Sequence, residues 1–157
     1  MNTVPVVTNR EVIKEYAQPS YRGPFSRYSH LEAPTLGSRH NDDLIEKKIG
    51  RIPEGPVSQK IAYAEAKQKQ YEALARAAKV ADRTLKTVGT LAIPSGLAAG
   101  WCFDSIPLIC GGVIGGAAAL CFSCFAEDLK EHFGNQASNY AVIKGLFKDY
   151  SEWKLKH

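Results

Sequence analysis

The stretch from Thr87 to Ala126 carries one charge, Asp104, and limits what this chain can fold into more than any other feature. Its second half, Ser105 to Ala126, has no charged residue. As a helix it would rise about 33 Å, enough to cross a hydrocarbon layer of about 30 Å. The first half, Thr87 to Phe103, would rise about 25 Å, at the short end of the spanning range. Phe103-Asp104-Ser105-Ile106-Pro107 between them reads as a tight corner. The pattern predicts a transmembrane helical hairpin with arms at 87–103 and 105–126.

Small residues recur on both arms at the spacing that lets helices approach closely in lipid. Ala92, Gly96 and Gly100 lie four apart on the first arm. Gly111 and Gly115, and Gly112 and Gly116, repeat the spacing on the second, followed by Ala119. Without water to drive apolar groups together, helices in a bilayer associate by backbone approach, which small-xxx-small faces permit. These seven residues from Ala92 to Gly116 are the expected helix-packing set. Pro94 is expected to kink the first arm, and Asp104 or Ser105 to cap the second, with Pro107 in its first turn. All four cysteines, Cys102, Cys110, Cys121 and Cys124, fall in or beside the apolar stretch. They read as small hydrophobes. Cys121-x-x-Cys124 has no second pair to complete a metal site. A disulfide between Cys102 and Cys110 across the corner is open.

The flanks are of a different character, and the mean hydropathy of -0.23 averages over both. Residues 57–86 are rich in Ala, Lys, Gln and Glu and lack Gly and Pro. Val57, Ile61, Ala64, Tyr71, Leu74, Ala78, Ala81 and Leu85 recur at three- and four-residue steps, which predicts a long amphipathic helix with a thin apolar seam. Nothing breaks it before Pro94, so it should run straight into the hairpin. Residues 127–157 predict C-terminal amphipathic helices. One should end at Gly134 and another start at Ser138, with Tyr140, Ile143, Leu146, Phe147 and Tyr150 on its apolar face. That face could rest on lipid or pack on the 57–86 helix.

Residues 1–56 contain Pro5, Pro19, Pro24, Pro34, Pro53 and Pro56, which rule out long elements. Thr8-x-x-Glu11 matches a capping box, and Asn41 could start a short helix over Asp42–Lys48 that ends at Gly50. Aromatic residues alternate with arginines. The segment reads as an extended strap whose anchors, Tyr16, Tyr21, Phe25 and Tyr28, would lie in a partner's grooves. The architecture expected is therefore an all-α membrane protein: strap, long helix, two-helix transmembrane hairpin, C-terminal amphipathic helix.

Charge sets the expected topology. Residues 1–86 hold 15 basic and 10 acidic groups, residues 127–157 hold five of each, and the corner has no basic residue. Arg76, Lys79, Arg83 and Lys86 cluster just before the first arm. The positive-inside rule then keeps both termini on one side, matrix-like or cytoplasmic, with the corner translocated and Trp101 and Phe103 near an interface. The basic excess is too mixed in sign for a nucleic-acid footprint. The short apolar run at Val4–Val7 is no secretory signal, and Glu11, Glu15 and Glu32 argue against a cleavable transit peptide.

No phosphate loop, metalloprotease, nucleophile-elbow or cofactor fingerprint occurs. The expectation is a protein without catalytic, cofactor-binding or metal-binding residues and without a small-molecule substrate. Asp104 is the one ionisable group between the arms, and its place at a corner makes it a cap rather than a proton site. Rotor hairpins of ATP synthases carry their acid in the middle of the second arm, where this chain has only Gly, Ala, Leu and Cys. The layout is similar in kind to accessory subunits of large membrane complexes. It implies a supernumerary subunit that stabilises assembly, in a mitochondrial inner-membrane respiratory complex or ATP synthase, with other subunits and lipid as partners. The alternative is a self-associating glycine-zipper hairpin that shapes or perforates membranes.

Overall fold

The computed structural model describes residues 6–17, 22–25 and 36–157, with side chains in the last stretch from Asp43 onward. The regular structure among them is entirely helical: α1 (Asn9–Ala17), α2 (Leu36–Gly50), α3 (Val57–Cys102) and α4 (Ile106–Lys156). They divide into two compact units. One comprises Met1–Gln70 with Gln136–His157, the other Tyr71–Asn135.

The first unit is a small helical head built around one apolar cluster. Thr8 starts α1 with a reciprocal capping box: its backbone N–H donates to Glu11 Oε2 at 2.8 Å, and the Glu11 N–H donates to Thr8 Oγ1 at 3.2 Å. Val7 and Val12 from this end, Phe25, and Ile45 and Ile49 from α2 are buried together with Ile52 and with Val57 and Ala64 of α3. From α4 come Ile143, Leu146 and Phe147, each 0% exposed, and Tyr150. The apolar face expected on the last helix is therefore covered by protein rather than lying on a lipid interface. The Phe25 and Tyr150 rings meet with centroids 6.1 Å apart.

Within residues 1–56 the structure describes two helices, α1 and α2, both of which the sequence suggested, and the extended stretches expected between them fall largely outside the described residues. Residues 9–17 form α1, and Val7, Val12 and Phe25 are buried against the chain's own helices. Apolar partners for them lie far along the sequence, where local pattern does not reveal them. α2 also starts earlier than Asn41, at Leu36.

Polar chemistry fastens the same end. Lys60 of α3 is 1% exposed, and its ammonium donates to Val7 O at 2.9 Å, Asn9 Oδ1 at 2.8 Å and Glu54 Oε2 at 2.5 Å. Asn9 Nδ2 donates onward to Ile52 O at 2.6 Å. A buried ammonium is tolerated only when its donors are used, and here all three are. Lys154 of α4 adds a second tie, donating to Val6 O at 2.7 Å and pairing with Glu11 at 3.1 Å. Burial in this unit pushes the Lys48 ammonium's pKa down, with its Nζ 5.3 Å from the centre of the Tyr140 ring.

The second unit is a helical hairpin of the later part of α3 and the earlier part of α4. Pro94 lies inside α3 without ending it. Ser95 Oγ and Thr90 Oγ1 bond back to carbonyls of the preceding turn, to Leu91 O and to Lys86 O respectively, as apolar helices often arrange hydroxyls. α4 also continues through Gly134, where a stop was expected. Phe133, just before it, stacks on Tyr71 with centroids 6.3 Å apart, and Ala137, just after it, is buried. Anchors on both sides outweigh the roughly 1 kcal/mol that one interior glycine costs a helix.

Candidate functional site

The seam between the hairpin arms is where the sequence-predicted packing residues converge. Gly96 and Gly112 face each other so closely that a Cβ added to either would stand 2.5 Å from the other's Cα. Ala92 O approaches the same point on Gly112 to 2.8 Å. One step toward the open end, a Cβ on Gly116 would meet Ile93 Cγ1 at 2.5 Å and Gly89 O at 3.0 Å. Toward the corner, Gly100 abuts the Ile109 side chain. Ala119, Ser123 and Ala126 continue the buried line along α4. The arms touch backbone to backbone at the Gly96–Gly112 crossing, and on either side Ile93, Ile109 and Leu120 pack onto glycines of the facing arm.

Two of the predicted residues lie elsewhere. Gly111 and Gly115 have open space where a side chain would be, so they are outside this seam. Adjacent glycine pairs at 111–112 and 115–116 offer two spacings one residue apart, and a helix rotates about 100° between them. Only the 112–116 frame faces the first arm. Gly89 was missed: an added Cβ would stand 2.7 Å from Leu120 Cγ. Its seven-residue distance from Gly96 is the signal that could have found it.

The strap anchors fare differently. Phe25 is in the core of the head, and Tyr16 is half-buried against that core. Phe25 is thus taken up by the chain's own core. Tyr21 and Tyr28 lie outside the described residues.

At the corner, Asp104 has φ 46°, in the left-handed region, and the Ser105 N–H donates to Gly100 O at 2.9 Å. This is the six-residue closure that ends a helix at its C-terminus. Asp104 thus terminates the first arm rather than capping the second. Ser105 begins the second, its carbonyl receiving the N–H groups of Leu108 at 3.2 Å and Ile109 at 3.4 Å.

At the opposite end of the apolar zone, Lys86 bridges the arms. It pairs with Asp82 at 2.9 Å on its own helix and with Glu127 at 3.3 Å on the other. Between this charged girdle and the corner, the outward surface is made of large apolar groups. Trp101 is 87% exposed, Phe103 75%, Ile106 74% and Ile114 68%, with Leu91, Phe122 and Phe125 similar. α4 is long and apolar enough to cross a membrane. The four cysteines are free and exposed, so Cys102 and Cys110 are not joined. Among the described residues no cluster of His, Cys, Asp and Glu could hold a metal ion. Comparison with protein-family models, curated proteins and solved structures gives no match for this chain.

Proposed function

We propose that the protein is a non-catalytic structural subunit of a membrane assembly, embedded by its hairpin and presenting its helical head outside the bilayer. The observation that carries this reading is the inverted size order of the hairpin. Glycine, alanine and serine line the closest approach of the pair, with Ile93, Ile109 and Leu120 packed against glycines of the facing arm, while Trp101, Phe103, Ile106, Ile114, Phe122 and Phe125 point outward. A helix pair in water does the opposite, since burial of large side chains is what holds it together. In lipid the outward groups lose nothing, and close backbone packing becomes the adhesive. Thr87 to Cys102 rises about 24 Å and Ile106 to Ala126 about 32 Å, which brackets a hydrocarbon layer of about 30 Å. The girdle at Lys86 and Glu127 then stands at one water boundary and the Trp101–Ile106 corner at the other, with both termini on the girdle side. The layout of head, hairpin and amphipathic flanks also underlies the proposed setting, an accessory subunit in the mitochondrial inner membrane.

A second reading, self-association of the hairpin, is favoured by Gly111 and Gly115, which open onto the outside of α4. One experiment separates the two. Native membranes are washed at alkaline pH, solubilised gently and run under non-denaturing conditions. Retention in the membrane with comigration in a complex of many different subunits supports the first reading. A ladder of self-multimers supports the second, and release by the alkaline wash defeats both.

A further inference from the structure

From the girdle outward, α3 carries a line of exposed cations of which Lys86 bridges to the other arm. Arg76, Lys79, Arg83 and Lys86 are spaced three, four and three apart, which aligns them on one helix face. Lys86 is engaged by Asp82 and Glu127, and Arg76 reaches Glu72 only at 3.9 Å. Lys79 and Arg83 have no ion-pair partner among the described residues. The one acid within the line, Asp82, is buried and held by Lys86. The exposed acids just beyond the girdle, Asp128 and Glu131, belong to α4. On α3, Lys79 and Arg83 are therefore the cations of this line that no carboxylate holds.

The height of these cations identifies what meets them. Arg83 stands about 4.5 Å above Lys86 and Lys79 about 10 Å above it along the helix. A headgroup layer occupies about 5–8 Å on each side of the hydrocarbon core. A charge just above it remains within the screening distance of about 8 Å at physiological salt. We propose that Lys79 and Arg83 bind the headgroups of anionic phospholipids in the leaflet at the hairpin's open end. This rests on the membrane reading above. Arg83 supplies a planar fork that suits a phosphate bidentately, and Lys79 a second cation at the outer edge.

The test uses the full-length protein reconstituted into phosphatidylcholine vesicles containing trace spin-labelled phosphatidylglycerol or spin-labelled phosphatidylcholine. Flotation after an alkaline wash reports integration, and the motion-restricted fraction of each label reports lipid selection. The wild type should integrate and select phosphatidylglycerol, with selection falling as salt rises. K79Q and R83Q should each reduce that selection by about fivefold at low salt and leave integration unchanged. The charge-conserving pair K79R with R83K should keep it. Integration without selection, or selection that survives K79Q with R83Q, overturns the headgroup site alone and leaves the stripe to solvent or a protein. Failure of the wild type to integrate overturns the membrane reading and the headgroup site together.

Discussion

Lys60 shows how much of the head can hang on one side chain. Its ammonium satisfies two acceptors of the N-terminal segment and a carboxylate, inside a shell that excludes water. Methionine would fill a similar volume but strand Val7 O and Asn9 Oδ1. Each hydrogen bond to a charged group contributes about 1.5–3 kcal/mol, so K60M should cost the head about 3 kcal/mol. Hydrogen exchange reads this directly: amides of residues 9–17 should lose protection in K60M, while those of the hairpin keep theirs. Unchanged protection at 9–17 would show that apolar contacts alone hold the segment. The same end should respond to acid. The Glu11 carboxyl is held below its ordinary value of 4.5, first by the Thr8 N–H and then by Lys154, and Glu54 by Lys60. A depressed folded-state pKa adds stability above the unfolded value and loses it as pH falls through the folded one. Protection of 9–17 should therefore be flat from neutral pH down to about 5 and decline below about 4.5. E11Q should make that decline shallower.

Among the elements, the hairpin seam makes the sharpest contrast available to a single methyl group. G112A would drive a Cβ into the Gly96 backbone, which cannot swing aside as a side chain could. The arms would have to separate, at about 1–3 kcal/mol. G111A meets open space and gains helix propensity, so it should be neutral or stabilising by up to about 1 kcal/mol. Thermal loss of helical circular dichroism in detergent compares them, and equal midpoints would place the seam elsewhere on α4. Much at this level was legible in the sequence. The interrupted apolar run gave both arms and their corner, and Thr8-x-x-Glu11 gave the start of α1, because these signals are local. The choice between Gly111 and Gly112 was not legible, because neighbouring glycines are equivalent until a second helix selects a face. Nor was the site of Phe25. An aromatic among prolines and arginines reads alike whether its partner lies in the same chain or another one.

At the scale of the whole molecule, both termini should lie on one side of the membrane and the Asp104 corner on the other. Single-cysteine variants at Ser105 and Ser138, made in a background with the four native cysteines replaced, can be labelled from either side. Labelling of both from the same side would mean that the first arm does not cross. Deleting residues 1–17 should uncover Ile143, Leu146, Phe147 and Tyr150 and lower the stability of the head, with integration into membranes unaffected. A truncated chain whose head melts as before would assign that core to α2, α3 and α4 alone. The contact between Lys154 and Val6 joins residues 148 apart in sequence, with the whole hairpin made in between. During synthesis the N-terminal segment can meet Lys60 early, but its tie to Lys154 must wait until the last turn of α4 leaves the ribosome. Under the membrane reading, the apolar arms reach the insertion machinery while the head still lacks Ile143, Leu146, Phe147 and Tyr150. A ribosome paused before Ile143 should expose a protease-sensitive N-terminal end, on a chain that the membrane reading already places in the bilayer.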